Sequence, residues 1–315
     1  MSNGAYVSDP PSPNFPLKQP GTAVIHAGPR QEPRIVSVAS RCAEHVIELT
    51  EDTDLFAFLE AALGDYGVSG MMVEFLSGEF GHIDFVHPAY GTDADHPMSF
   101  TAAFEVDGPS AVRHAAATIG FRNGSPFGHI HASWTEPDGR IRGGHLLPGT
   151  HVGPAGLRLR LFALPDACLV SEVDPETGFS AFAPHPLQSG SDAEAAPRST
   201  RDTAGISAVV SRIRPGELLD EAVLAVCRGA GFDSAEVLAS LGSTTGAVFT
   251  DGTAGWPAVE FTDLAGTVTG ALGSHPRVHL TGEVVDVAGE VSRGVLVPGA
   301  NPVAVTFELF VRRTA

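Results

Sequence analysis

Three histidines, His129, His131 and His145, stand where one β-hairpin would gather them. Phe127 to Thr135 alternates as a strand does, Pro137-Asp138-Gly139 has the composition of a turn, and Ile141 to Leu147 returns. A type I turn at Pro137 and Asp138, with Gly139 as a left-handed bulge, makes a three-residue loop that sets His131 opposite His145. His129, two residues before His131, projects from the same face. Opposed Cβ atoms in such a pair are about 4.5–5.5 Å apart and diagonal ones about 7–8 Å, so three neutral imidazoles can converge on one ion. A two-residue loop would turn His145 to the other face, and the metal reading therefore depends on Gly139. One histidine here would be an ordinary strand residue; three on one face point to a metal. Three imidazoles with no fourth protein ligand leave a coordination position open, the pattern of a catalytic centre whose bound water loses its proton near neutral pH. One divalent transition metal is expected, zinc first, with iron, nickel, cobalt or copper also compatible. Ser133 opposes Gly143 on the same face, and the glycine is expected to leave room for a substrate beside the ion.

The run His-x-His, then Asp-Gly-Arg, then Gly-Gly-His-Leu, between Pro126 and Gly149, resembles the PPC ("plants and prokaryotes conserved") domain. That domain occurs alone in bacteria and archaea and beside AT-hooks in plant nuclear proteins. The resemblance implies an α+β fold built on an antiparallel sheet, a trimeric homo-oligomer, and a metal carried by His129, His131 and His145.

The elements that must position these residues can be read along the chain. Residues 1–33 are rich in Pro, Gly, Ser and Asn and read as an extended or disordered arm. The first domain, residues 34–173, opens with the strand-like RIVSVAS and HVIELT. Glu51 to Asp54 then cap a helix whose Leu55, Phe56, Leu59, Ala62 and Leu63 form one apolar face. VSGMMVEFLSGEFGHIDFVHP reads as two strands around a glycine turn, and further strands follow near Ser99 to Val106 and Val112 to Phe121. After the hairpin, GLRLRLFAL closes the sheet. Residues 174–203 have the Pro, Ser and acidic content of a linker, mobile from Gln188 onwards, although Phe179 and Phe182 call for burial.

Residues 204–315 repeat the first domain. Arg214 to Phe249 has the same helix-then-strand plan as Glu51 to Phe85, and Pro276 to Gly299 aligns without a gap on Pro126 to Gly149. Each copy is expected to be an antiparallel sheet packed with one or two helices. Gly289 keeps the bulge and His129 becomes His279, but His131 becomes Thr281 and His145 becomes Val295. Ser133 and Gly143 become Glu283 and Arg293, expected to pair across the strands. The second copy is thus a degenerate site on a kept scaffold.

Weaker candidates surround the first hairpin. Glu79, His82 and Asp84 follow Gly78 and offer a general base or a partner for a ligand imidazole; a solvated strand end is the plainer alternative. His87 and His96 lie in a loop that the second copy lacks, placed to act as a lid over a substrate pocket.

Composition narrows the function. The 315 residues, 43% hydrophobic, suffice for two ordinary domains. No run is long enough for a membrane span, and the start has neither a basic nor an apolar signal region, so a cytoplasmic location is expected. Cys42, Cys168 and Cys227 fit reduced thiols. The net charge of -18 disfavours nucleic acid on average. The one lysine, Lys18, lies in the Pro-rich leader, against a P-loop or a Schiff base, and no nucleotide, flavin or PLP fingerprint is present. The expectation is a metal-dependent hydrolase or lyase, hydration included, acting on a small carbonyl or carboxylate compound. The alternative is a non-catalytic, DNA-associated binding or regulatory protein with a structural metal.

Overall fold

The computed structural model describes residues 13–187 and 205–314. The first twelve residues of the arm, and the linker from Gln188 to Thr203 for which mobility was expected, lie outside them. Its first half contains β1 (Ile35–Ser40), β2 (Ala43–Leu49), α1 (Leu55–Asp65), β3 (Met71–Val86), β4 (Pro88–Tyr90), β5 (Met98–Phe100), β6 (Phe104–Arg122), β7 (Ser125–Thr135), β8 (Ile141–Ala163), β9 (Ala167–Val173) and β10 (Ser180–Pro186). The second contains β11 (Ala208–Ile213), α2 (Leu219–Ala230), β12 (Ala235–Val237), β13 (Leu241–Thr244), β14 (Ala247–Phe249), β15 (Gly252–Ala254), β16 (Val259–Thr269), β17 (Arg277–Val285), β18 (Val291–Val295) and β19 (Val303–Arg313). Two helices against this many strands make the described chain mostly antiparallel β-structure.

Helix α1 forms where its apolar spacing predicts. Leu55, Phe56, Leu59, Ala62 and Leu63 are buried, and the Asp54 side chain accepts a hydrogen bond from the Ala57 amide at 3.0 Å. That cap satisfies one of the four amides a helix start leaves without partners. Neither helix is long and apolar enough to cross a membrane.

The first sheet runs β10-β9-β6-β3-β8-β2, and β7 pairs with both β6 and β8, so β6, β3, β8 and β7 close on one another. Residues 71–86 form one strand rather than the two expected. Gly78 has φ +121° and sits against the backbone of Gly156, so it makes an irregularity in a continuous ladder instead of a turn. Similarly β8 runs unbroken from the hairpin through GLRLRLFAL, which lies between β3 and β2. Phe182 is buried on β10, inside the stretch read as linker.

The second sheet has the order β1-β11-β19-β12-β16-β17-β18. Its outermost strand is β1, which pairs along its whole length with β11, from Ile35 opposite Ile213 to Ser40 opposite Ala208. The segment expected to open the first domain's sheet therefore belongs to the other one. Between the sheets lies a shared core in which Met72, Phe162 and Leu169 meet Val38, Val210, Leu241 and Phe310, with the rings of Phe162 and Phe310 5.0 Å apart. Part of the arm lies on the second half: Phe15 and Val24 are buried, and the Trp256 indole donates to the Thr22 carbonyl at 3.0 Å.

Candidate metal centre

The hairpin β7–β8 has the register that the loop chemistry requires. His131 pairs with His145 and Ser133 with Gly143, and Gly139 has φ +85°. The three imidazoles converge, each offering a nitrogen within 4.8 Å of the others'. Ring centroids are 4.6, 4.8 and 5.4 Å apart.

What fixes the rings comes from the second half. His129 Nδ1 lies 2.9 and 3.0 Å from the two carboxylate oxygens of Glu308 on β19, and His131 Nδ1 lies 3.0 Å from the carbonyl oxygen of Phe261 on β16. Both partners accept, so both Nδ1 atoms donate. In the neutral rings each Nε2 then carries a lone pair. These two Nε2 atoms are 3.0 Å apart. Two lone pairs at that separation repel unless a cation or a proton lies between them. The edge of a tetrahedron with metal–nitrogen bonds of 2.0–2.1 Å is about 3.3 Å, close to the separation found. His145 Nδ1 is buried without a hydrogen-bond partner, a nitrogen that a metal would satisfy. Burial, with the neighbouring His129 adding to it, holds the pKa values of His131 and His145 well below the ordinary histidine value, so both are neutral at neutral pH. By donor set and anchoring, the residues fit a transition metal.

A cavity of about 260 Å³ opens beside the imidazoles. Phe100 from β5 closes on His145 with ring centroids 5.7 Å apart, and Phe127, Phe179 and Phe182 continue the apolar wall. Arg122 stacks on Phe127 at 3.6 Å and donates to Ser171 Oγ at 3.0 and 3.2 Å. Glu260 of β16 also lines this space; burial pushes its carboxyl up to about 8, and its Oε1 lies 3.5 Å from His131 Nε2.

The remaining candidates fall elsewhere. Ser133 donates to Glu283, and a Cβ on Gly143 would meet Val285 at 2.5 Å, so the second half fills the room expected beside the ion. Glu283 and Arg293 face each other in register but do not form the expected pair: Glu283 binds Arg113 at 3.3 Å, and Arg293 binds Asp263 at 3.3 Å. His82 lies 2.8 Å from Asp107 and 3.4 Å from Asp84, beside a different cavity shared with His151. Glu79 sits on the same strand, opposite Ala111, and neither it nor Asp84 lines the space beside the imidazoles. His87 is buried against Phe104, 5.5 Å between centroids, and His96 is exposed and bonded to Asp93. The loop they were read from does reach the site, but through Met98, Ser99 and Phe100. Sequence reasoning missed Glu260 and Glu308. Their signal was present: each is a carboxylate inside an apolar strand, Val259-Glu260-Phe261 and Phe307-Glu308-Leu309, where an ionisable group needs a partner.

Residues 36–160 match the family model described as the Plants and Prokaryotes Conserved (PCC) domain. No curated protein matches the chain. Among solved structures, the chain is similar to a hypothetical protein from Salmonella cholerae-suis, at 17% identity over 48% of this chain and 99% of that one, with a TM-score of 0.40. A metal-containing protein from Archaeoglobus fulgidus matches at 18% identity over 47% of this chain and 97% of that one, with a TM-score of 0.40. A candidate DNA-binding protein from Ralstonia eutropha JMP134 matches at 18% identity over 44% and 89%, with a TM-score of 0.37.

Two expectations are corrected here. The family whose model matches is not described as a hydrolase or lyase, and of the residues proposed as general bases none lines the space beside the imidazoles and His82 lies at another cavity, so the reading as an enzyme on a small-molecule substrate is withdrawn. The argument against nucleic acid is withdrawn with it, since a charge summed over the chain does not fix the potential of any one face. Residues 36–160 thus carry a match to the Plants and Prokaryotes Conserved domain, the family that the hairpin residues resemble.

Proposed function

We propose that this chain is a non-catalytic binding or regulatory protein in which one transition-metal ion, zinc first, is held by His129, His131 and His145 and fastens the first half of the chain to the second. The observation that carries this reading is the pair of Nε2 lone pairs 3.0 Å apart, each on a ring anchored by a residue of the second half. An ion bound there makes the two halves one unit, the work of a structural metal. Elemental analysis of the purified protein beside His145→Ala tests it: one ion per chain, lost in the variant while the far-ultraviolet circular dichroism is kept, is expected. No ion after reconstitution with zinc, iron or nickel would defeat the reading.

We also take residues 34–173 and 204–315 as two copies of one domain joined by residues 174–203, the second having lost its ligands. Support comes from the hairpin β17–β18, where Thr281 faces Val295 as His131 faces His145, and from Gly289, at φ +75° where Gly139 has +85°. Packed on each other, two copies would satisfy within one chain contacts that the resemblance assigns to a trimer. Cys42, Cys168 and Cys227 are free thiols, which supports a cytoplasmic location. DNA is the partner class suggested by the name of the Ralstonia protein. Anisotropy of a labelled duplex should rise with added protein at about 50 mM salt and lose that rise near about 200 mM; a flat titration at low salt would remove DNA from the reading and leave the metal.

A further inference from the structure

The hairpin supplies three ligands, and the surface of the second half that covers it presents three buried carboxylates: Glu260, Glu283 and Glu308. Two are committed. Glu308 holds His129 Nδ1 with both oxygens, and Glu283 takes Ser133, Thr262 and Arg113. Glu260 is different. It is 4% exposed, its Oε2 has no hydrogen-bond partner, and its one ion-pair contact among the described residues is His131 Nε2, 3.5 Å from Oε1. A buried carboxyl with an unpartnered oxygen is costly to hold, and a cation beside it would satisfy that oxygen.

We propose that Glu260 is the fourth donor of the metal centre, so that the second half closes the coordination shell of an ion whose other three ligands lie in the first. The proposal rests on the three-histidine reading above. Separations of 3.0 Å between the Nε2 atoms of His129 and His131, and of 3.5 Å from His131 Nε2 to Glu260 Oε1, bracket the edge of about 3.3 Å of a tetrahedral site. The same strand does two jobs in succession. Phe261 accepts from the far side of the His131 ring through its carbonyl, and the preceding residue aims its carboxylate at the near side. Closed N3O coordination is the arrangement of a structural ion, and it turns the degenerate half from a passive scaffold into a ligand donor.

Zinc titration of the full chain against a chromophoric chelator tests this, with Glu260→Gln and Glu260→Asp beside wild type and His145→Ala. Gln keeps the shape and removes the charge; Asp keeps the charge and withdraws it by one methylene, so either variant decides if the other fails to fold. The expected result is a zinc dissociation constant raised at least tenfold in both. The cobalt(II)-loaded protein should change in step, from the strong visible absorption of a four-coordinate ion to the weaker spectrum of one that has taken up water. Wild-type affinity and an unchanged cobalt spectrum in the folded variants would overturn the assignment of Glu260 while leaving the three histidines in place. Zinc binding absent from the wild type would instead bring down the histidine reading, and this inference with it.

Discussion

In the proposed metal centre Glu308 acts only through His129. Its two oxygens at 2.9 and 3.0 Å fix the tautomer and the plane of that ring, and orienting partners of this kind change metal affinity by about ten- to a hundredfold when removed. Glu308→Gln should therefore weaken zinc binding by about that factor in a chelator competition, and Glu308→Asp should recover less than half of the loss on a logarithmic scale; undiminished affinity in Gln would mean that the ring is held by packing alone. At this scale the sequence was legible where chemistry is local. Gly139 determines the loop, the loop determines the register, and the register places His131 opposite His145. That Glu260 and Glu308 need partners could be read from their apolar strands, but that they and the Phe261 carbonyl meet the hairpin could not, because they reach it from strands more than a hundred residues later in the chain, through packing that no spacing rule encodes.

Among the elements, the clasp between β9 and β11 bears most directly on stability. Asp174, at the end of β9, is 2% exposed and bonded to Arg212 at 2.5 Å and to Arg214. Nearby, Arg34 meets Glu176 at 2.6 Å. Removing Asp174 leaves a buried guanidinium unpaired, so Asp174→Ala should lower the unfolding free energy by about 3–5 kcal/mol in a urea titration; a loss below about 1 kcal/mol would mean that water replaces the carboxylate. Burial alone would raise the Asp174 carboxyl, but Arg212 and the amides of Glu176 and Thr177 hold it below the usual 3.8. A carboxyl depressed in the folded state adds stability that is complete above its unfolded value and is lost as the pH falls through the folded one. Wild-type stability should thus fall below about pH 4 more steeply than that of Asp174→Ala; parallel curves would exclude Asp174 as the source. Helix α1 was legible in full, since its apolar face and its cap are written in consecutive residues. The continuity of β3 was not, because Gly78 reads equally as a turn or an irregularity until Gly156 is seen against it.

For the whole molecule the question is whether two halves with separate cores behave as one. Each carries a single tryptophan, Trp134 in the first core and Trp256 in the second half. With β1 in the second sheet, a core shared between the sheets and imidazoles of the first half anchored by the second, Trp134→Phe and Trp256→Phe should each report, by fluorescence of the tryptophan left, one thermal transition at one temperature. Two separated transitions would show the halves to be independent. Zinc at about a hundred times its dissociation constant should add about 2.7 kcal/mol to the stability of the unit, moving both curves together; a shift confined to the Trp134 signal would mean that the ion serves the first half alone.

The pairing of β1 with β11 also sets an order of events at the ribosome. The strand at residues 35–40 emerges well before its partner at residues 208–213 is made, and β19, on which that partner lies, is made later still. At about 5–20 residues per second the early strand waits for roughly ten to thirty seconds with an open edge. A nascent chain of this design offers chaperones a defined client segment, and a stop codon anywhere before residue 208 would release a product whose first strand can pair only with a stranger.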